Sequence, residues 1–183
     1  MTVPERQNLV GMARIEMQSF FASLGAPEFH ARQVLQWVYQ RGINDFSQMT
    51  DLSKALRDQL QQLAQITVPE TVTVQQSSDN TRKWLLRLED GNCIETVFIP
   101  EEDRGTLCVS VQVGCSLNCS FCATARQGFS RNLTTAEIIG QLLTVKTDLQ
   151  ALGHGDRPIT NVVMMGMGEP LLNYDSVVRA LHL

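Results

Sequence analysis

The first part of the chain spaces its apolar residues with the period of an α-helix. The segment "HARQVLQWVYQRG" ends at Gly42, a helix C-terminal signal, and places on one face Ala31, Val34, Leu35 and Val38. The segment "DLSKALRDQLQQL" follows a candidate N-cap at Ser53 and places on one face Leu56, Leu60 and Leu63. With an earlier helix around Ile15–Leu24, the pattern predicts a small helical domain over residues 10–66.

After Pro69 the period changes to two, which is typical of β-strands. The segments "TVTVQ", "KWLLRLE" and "CIETVFIP" predict three strands, and "EDGN" between the last two favours a hairpin. "TLCVSVQVG" predicts one further continuous strand before a cysteine-rich loop.

The last part of the chain alternates strands with helices. "TTAEIIGQLLTVKTDLQAL" predicts a helix with a capping box from Thr134 and Glu137, and "NYDSVVRALHL" predicts another. Between them, after a break at "GDRP", "ITNVVMMGMGEP" predicts a buried strand that ends in glycines. The alternation indicates an α/β fold with parallel βαβ units. The predicted domains are a helical accessory domain, a β-hairpin connector and an α/β part, at residues 1–69, 70–105 and 106–183.

Composition narrows the class of protein. The 183-residue chain carries a formal charge of −4, and its N-terminus has no apolar core of the secretory kind. No apolar run approaches the length of a membrane span, so we expect a cytoplasmic protein. RNA binding would need a local basic patch, for which Arg126 and Arg131 are weak candidates. Because two parallel strands cannot bury both faces of a sheet, we expect a fragment of a longer protein.

Three of the five cysteines lie within "VGCSLNCSFC" as Cys115, Cys119 and Cys122. We call residues 115–122 the cysteine loop. Three thiolates can hold three irons of a four-iron cubane and leave the fourth iron open to another ligand. The alternatives are buried thiols or structural zinc, which usually takes four protein ligands in two close pairs. Cys108, seven residues upstream of the loop, would be an unusual fourth zinc ligand.

The motif C-x3-C-x-aromatic-C, with Phe121 as the aromatic residue, resembles the signature of radical S-adenosylmethionine (SAM) enzymes. The resemblance implies a [4Fe–4S] cluster ligated by the three loop cysteines, with S-adenosyl-L-methionine on the open iron. "MGMGEP", residues 165–170, resembles the glycine-rich segment that receives the amino group of SAM, which implies contacts from Gly168 and Glu169. The alternative is a turn after a buried strand, with Glu169 as a helix cap. Core positions are expected for Met164, Met165 and Met167.

Longer segments resemble one particular family of radical SAM enzymes. "IETVFIPEEDRGTLCVSVQVGC", "GFSRNLTTAEIIGQ" and "ITNVVMMGMGEPLLN" resemble the bacterial dual-specificity adenine C2-methyltransferases of 23S ribosomal RNA and tRNA. The N-terminal "ARQVLQWVY" and "MTDLSKALR" resemble the accessory domain of that family. The resemblance implies the first βα units of a partial (β/α) barrel, RNA substrates, an electron donor such as flavodoxin, and a monomer without membrane attachment.

In that family a cysteine first receives a methyl group from SAM, and a radical formed from a second SAM activates it for addition to adenine carbon 2. The resemblance implies that Glu95 accepts the proton lost from that carbon and that Cys108 resolves the adduct by forming a disulfide. Glu95 lies on a strand with apolar alternate residues, where a carboxylate is costly unless it is paired or functional. The alternatives are a solvated Glu95 and a Cys108 that is only a small apolar strand residue. The methyl-carrying cysteine has no counterpart in the chain.

Two other functions stay open on the sequence. One is the related enzyme that methylates the same ribosomal adenosine at carbon 8. The other is a non-catalytic RNA-binding module stabilised by zinc. Iron and acid-labile sulfide in the purified protein would favour either enzyme, whereas stoichiometric zinc would favour the module.

Overall fold

The structure, a computed structural model, describes residues 6–155 and 157–183. It divides into two compact units, of which the first ends at Thr67 and the second spans Val68–His182. Residues 1–5 of the predicted helical domain, and Asp156 of the predicted break "GDRP", lie outside the described residues. Within the described part of the chain, no helix has the length and apolar character that a membrane span requires.

The first unit is helical, as the period predicted. Its elements are β1 (Gln7–Asn8), α1 (Arg14–Ser23), α2 (Phe29–Leu35), a π-helical turn (Gln36–Gln40), a 3-10 turn (Phe46–Gln48), α3 (Lys54–Leu63) and β2 (Ala64–Gln65). The Ser53 hydroxyl caps α3 by accepting a hydrogen bond from the Leu56 N–H at 3.3 Å, which confirms the predicted cap. The core of this unit includes fully buried Phe21, Val34 and Leu60.

The second unit contains a mixed sheet and the helices that follow it. Its elements are β3 (Glu70–Gln76), β4 (Arg82–Arg87), β5 (Cys93–Pro100), β6 (Gly105–Cys108), β7 (Gln112–Gly114), α4 (Ala123–Arg126), β8 (Phe129–Asn132), α5 (Thr135–Ala151), β9 (Asn161–Val163), a 3-10 turn (Pro170–Asn173) and α6 (Tyr174–Leu181). The sheet order is β3-β4-β5-β6-β9, with β9 parallel to β6 and the other pairs antiparallel. β7 and β8 form a separate antiparallel pair.

Helix α5 covers one face of the five-stranded sheet. The fully buried side chains on that face include Trp84, Ile94 and Leu107. The indole N–H of Trp84 donates to the carboxylate of Asp148 on α5 at 2.8 Å. The capping box predicted at the start of α5 is confirmed.

The opposite face of the sheet is only partly covered. Strand register pairs Glu95 with Leu85 and Val97 with Cys108, so these four side chains share that face. All four are half-buried. The face is partly open to solvent, and Glu95 is paired there with Lys83 at 2.9 Å, which agrees with the expectation that a carboxylate on this strand is paired or functional.

The predicted continuous strand "TLCVSVQVG" is interrupted, since β6 ends at Cys108 and β7 begins at Gln112. The N–H and C=O of Ser110 bond the side-chain amide of Gln141 on α5, each at 2.8 Å, instead of a neighbouring strand. The expected buried strand after α5 is also shorter and more exposed, because β9 is the edge of the sheet and spans three residues.

Candidate functional site

The cysteine loop begins directly after β7 and holds its three thiols at half-exposed positions. Gly114 precedes it with φ +75°, and a Cβ at that position would lie 1.8 Å from the carbonyl oxygen of Gly128, so only glycine fits. The Cys115 N–H donates to the same Gly128 oxygen at 3.0 Å. The thiol sulfur of Cys115 accepts the Leu117 N–H at 3.4 Å. The loop is thus fixed at its first cysteine.

The last cysteine of the loop has an electrostatic environment of its own. Cys122 precedes the short helix α4, and the N–H groups of Ala125 and Thr124 lower the pKa of its thiol, against a smaller effect of burial. The thiolate is the form of cysteine that ligates metal, and backbone N–H groups stabilise it. Phe121, the aromatic residue of the motif, is 89% exposed.

The glycine-rich segment, residues 165–170, follows β9 in the sequence. In space it lies against the stretch of chain that connects β6 to β7. The Gly166 N–H donates to the Val109 carbonyl at 3.1 Å, and the Met167 carbonyl accepts the Val111 N–H at 2.8 Å. The Met167 N–H donates to the Ser110 hydroxyl at 2.9 Å. These backbone contacts hold the segment in one conformation without any ligand.

Two glycines of this segment are required by close backbone approach. A Cβ on Gly166 would lie 2.8 Å from the carbonyl carbon and oxygen of Val109. Gly168 has φ +99°, and its Cβ would lie 2.5 Å from the Cβ of Gln112. The Glu169 carboxylate accepts the Leu171 N–H at 3.1 Å and so caps the following 3-10 turn. This is the capping role noted as an alternative, and the predicted contact of Gly168 and Glu169 with SAM stays a prediction.

Gln112 joins the cysteine loop to the glycine-rich segment. Its side-chain oxygen accepts the N–H of Ser116 at 3.2 Å and the N–H of Glu169 at 3.1 Å. Its amide nitrogen donates to the side-chain oxygen of Asn132 at 2.8 Å. Gln112 is 1% exposed. The structure therefore brings the cysteine loop and the glycine-rich segment into contact with one buried side chain.

Cys108 lies against the glycine-rich segment. Burial raises the pKa of its thiol, while a hydrogen bond from the Met165 N–H acts in the opposite direction. The thiol is therefore protonated at neutral pH. Met165 itself is 80% exposed, so its expected core position is wrong, whereas Met167 is buried as expected.

Glu95 is tied to the same segment through its backbone. Its N–H contacts the sulfur of Met167 at 3.4 Å, and its carbonyl accepts the Ser110 hydroxyl at 2.6 Å. Its carboxylate pairs with the ammonium of Lys83 at 2.9 Å, and both side chains are partly exposed. The predicted proton acceptor thus lies beside Cys108 on the partly open face, with its charge balanced by a lysine.

The two arginines after the cysteine loop differ in their partners. Arg131 on β8 bonds the carboxylates of Asp90 at 2.6 Å and Glu137 at 2.8 Å. These hydrogen bonds raise the pKa of Arg131 and hold the pKa of Asp90 well below its usual range. Arg131 therefore pairs with protein carboxylates, which makes it a poorer candidate for a basic patch that binds RNA. Arg126 ends α4 at an exposed position.

Sequence reasoning missed the buried polar side chains that organise this site. Ser110 and Gln112 stand between three valines in "VSVQVG", and all five residues are buried. Gln141 lies on the buried side of α5 and bonds both the Ser110 backbone and, at 2.6 Å, the Thr96 hydroxyl. The available signal was the pair of polar residues alternating with valine directly before the cysteine motif.

The loop thiols are not gathered around a single point. Among residues 6–155 and 157–183, no group of three His, Cys, Asp or Glu side chains is placed to hold one metal ion. A tetrahedral zinc site needs its sulfurs about 2.3 Å from one centre. A four-iron cluster has no such requirement, because each thiolate binds a different iron.

Two family matches cover most of the chain. Residues 7–66 match the family described as Ribosomal RNA large subunit methyltransferase N-terminal domain, and residues 109–183 match the Radical SAM superfamily. Together with the fold and the cysteine loop, the second match defines the class that residues 109–183 resemble: the radical SAM superfamily. A crystal structure of a radical SAM methyltransferase from Sphaerobacter thermophilus superposes with a TM-score of 0.87 at 40% identity, over 96% of this chain and 51% of that one.

Within this superfamily the chain is RlmN-like. Proteins named Dual-specificity RNA methyltransferase RlmN from Marinobacter nauticus and Saccharophagus degradans are 55% and 56% identical to it, each over 98% of the chain. The chain spans about half the length of these relatives, 48% and 46% respectively. The family resemblance and the α/β fold class expected from the sequence are confirmed.

Proposed function

We propose that this chain carries the cluster-binding and SAM-binding part of a radical SAM methyltransferase that modifies carbon 2 of adenosine in 23S ribosomal RNA and tRNA. One observation supports this most strongly: Gln112 bonds the cysteine loop and the glycine-rich segment at once. A cofactor bound to an iron in the loop would therefore lie beside the glycine-rich segment. The relatives are named dual-specificity RNA methyltransferases.

Cys115, Cys119 and Cys122 would hold a [4Fe–4S] cluster, and Gly168 and Glu169 would contact SAM. When bound, the cluster and SAM supply one-electron reduction and carbon-radical chemistry. Adenine carbon 2 lies between two electron-withdrawing nitrogens and is a poor nucleophile, so radical addition suits it better than polar methyl transfer. The glycine-rich segment is held in place by its own backbone bonds and needs little rearrangement to bind a ligand.

Two side chains of the partly open sheet face would serve the late steps. Glu95 would take the proton from carbon 2, with its carboxylate positioned by the Lys83 ammonium at 2.9 Å. Cys108 would resolve the covalent adduct: its sulfur would form a disulfide with the sulfur of the methyl-carrying cysteine as the C–S bond to the transferred carbon breaks. The electron pair of that bond would stay with the carbon, which takes up a proton to become the methyl group. The half-buried position of Cys108 keeps its thiol protonated until that step. None of the five cysteines of the chain is assigned the methyl-carrying role.

The partners follow from the same proposal. RNA would be the substrate, with the helical first unit as the accessory domain that contacts it, since that unit matches an N-terminal domain of ribosomal RNA methyltransferases. A low-potential electron donor such as flavodoxin would reduce the cluster. We further propose a cytoplasmic monomer.

Anaerobic reconstitution of the chain with iron and sulfide tests the proposal. We expect about four irons and four sulfides per chain and a brown protein whose reduced spectrum changes on addition of SAM. Cys93→Ala is the matched control, because Cys93 lies on β5 outside the loop and its loss should leave iron uptake intact. Stoichiometric zinc without iron would contradict the proposal and favour a zinc-stabilised RNA-binding module.

The role of Glu95 requires a separate test in the full-length protein. Glu95→Gln should leave iron content and SAM cleavage unchanged and reduce methylated product. Mass spectrometry of the modified nucleoside measures this, and it also separates carbon-2 from carbon-8 methylation. Undiminished product formation by Glu95→Gln would remove Glu95 from the mechanism.

A further inference from the structure

We propose that Gln112 is a positioning residue that couples the cysteine loop to the glycine-rich segment. This inference rests on the proposed function, because it concerns how the two halves of that site are held in register. Gln112 would not touch the reacting atoms. It would act by fixing the N–H of Ser116, next to the first cysteine, relative to the N–H of Glu169.

The geometry supports a coupling role over simple packing. The side-chain oxygen of Gln112 accepts two N–H groups from segments that are separated by more than fifty residues in sequence. Both distances, 3.2 Å and 3.1 Å, are ordinary for hydrogen bonds. A displacement of either segment therefore weakens a bond on which the other depends.

The hydrogen bond made by the amide nitrogen of Gln112 fixes the orientation of its amide oxygen. The amide nitrogen of Gln112 donates to Asn132 at 2.8 Å, and the amide nitrogen of Asn132 donates to the Leu172 carbonyl at 3.1 Å. Leu172 lies just beyond the glycine-rich segment, so the chain of bonds returns to the same region. This chain orients the amide so that its oxygen faces the N–H groups of Ser116 and Glu169, while its nitrogen lies 3.3 Å from the Ser116 hydroxyl.

Burial makes the contact hard to replace. Gln112 is 1% exposed, and both of its hydrogen bonds to the N–H groups are partly buried, so water can replace the lost oxygen only in part. Buried groups that lose their partner carry the full cost of desolvation. An apolar residue of similar size would therefore separate the two segments.

Amide hydrogen exchange in the apo chain tests the coupling without any cofactor. In Gln112→Leu, the Ser116 and Glu169 amides should exchange at least about tenfold faster than in the wild type, as expected for loss of one hydrogen bond each. Gln112→Glu keeps an acceptor oxygen and should preserve most of the protection. Gln127→Leu, at an exposed position after α4, is the matched control and should change neither amide.

A second variant covers the case in which Gln112→Leu does not fold. Gln112→Asn keeps the carboxamide but shortens the side chain by one methylene, so the oxygen is withdrawn from both amides. Both amides should lose protection together, while those in the middle of α5 keep theirs. Unchanged protection at Ser116 and Glu169, or loss at only one of them, would overturn the proposal.

The reconstituted chain gives an independent readout. At equal iron content, Gln112→Leu should bind SAM about tenfold more weakly than the wild type, measured by titrating the SAM-dependent change in the reduced spectrum. Gln112→Glu should restore most of the affinity. Equal affinity in Gln112→Leu and wild type would refute the coupling. Failure of the wild type to respond to SAM would refute the proposed function. Amide hydrogen exchange at Ser116 and Glu169 would then still test whether Gln112 couples the two segments.

Discussion

The cysteine loop and the glycine-rich segment meet at Gln112 but are held in opposite ways. The loop has three half-exposed thiols and an aromatic side chain that is 89% exposed. The glycine-rich segment is fixed by backbone bonds to Val109, Ser110 and Val111, and a side chain on either of two glycines would collide with neighbouring atoms. The cysteine loop presents side chains that can bind another group, whereas protein contacts fix the conformation of the glycine-rich segment.

The contrast indicates which interactions stabilise the conformation of each region. The glycine-rich segment draws its order from the protein, so changes there should cost stability even in the absence of cofactor. The cysteine loop is fixed at its first cysteine but leaves its three thiols half-exposed, so loss of a thiol should cost metal binding and little stability. Variants in the two regions can separate these effects.

The largest effect is expected from Cys119→Ala, which should abolish stable loading of the iron cluster. Two remaining thiolates cannot ligate three irons, so iron per chain after reconstitution should fall from about four to below one. The free energy of unfolding of the apo chain should stay within about 0.5 kcal/mol of wild type, since Cys119 is half-exposed. If Cys119→Ala lowered the free energy of unfolding as much as a core substitution does, the proposed difference between the two regions would be wrong.

Gly168→Ala should produce the largest loss of stability. The added Cβ lies 2.5 Å from the Cβ of Gln112 and the residue has φ +99°, so strain and overpacking together should cost about 2–5 kcal/mol. Urea unfolding of the apo chain, followed by Trp84 fluorescence in a Trp37→Phe background, measures the second unit. Gly128→Ala is the matched control: it has φ +79° with no atom within 4 Å of its Cβ. A similar loss in both variants would show that backbone conformation alone is responsible.

Gln141→Leu should lower the stability of the second unit by about 2–3 kcal/mol. It removes partners from the Ser110 N–H, the Ser110 carbonyl and the Thr96 hydroxyl, all of which are buried. The same fluorescence assay applies, with the exposed Gln75→Leu as control. No loss in Gln141→Leu would mean that the interruption between β6 and β7 has another cause.

Asp90→Asn should have the smallest effect, below about 1 kcal/mol, because the Arg131–Asp90 pair is partly exposed to solvent. The Arg131 guanidinium lowers the pKa of Asp90, so the pair contributes stability above the unfolded pKa of about 4 and loses it as pH falls through the folded value. The stability difference from wild type should therefore be constant between about pH 5 and 8 and shrink in more acidic solution. A difference that grows with acidity would have the wrong sign.

Sequence reasoning succeeded where local signals determine structure. The caps at Ser53 and Thr134 and the hairpin at "EDGN" are short-range features, and each is present in the structure. It failed at Ser110, where a side chain from α5 replaces a neighbouring strand as the backbone's partner. It also missed Gln112, because the partners of a buried amide are set by tertiary contacts between distant segments.

The central claim is that the loop thiols hold a cluster whose open iron binds SAM next to the glycine-rich segment. Pulsed electron paramagnetic resonance on the reduced, reconstituted chain with SAM labelled by 15N at the methionine amino group tests it most directly. The account predicts a hyperfine coupling between that nitrogen and the cluster, weakened in Gln112→Leu. A loaded cluster without any coupling to the labelled nitrogen would contradict it.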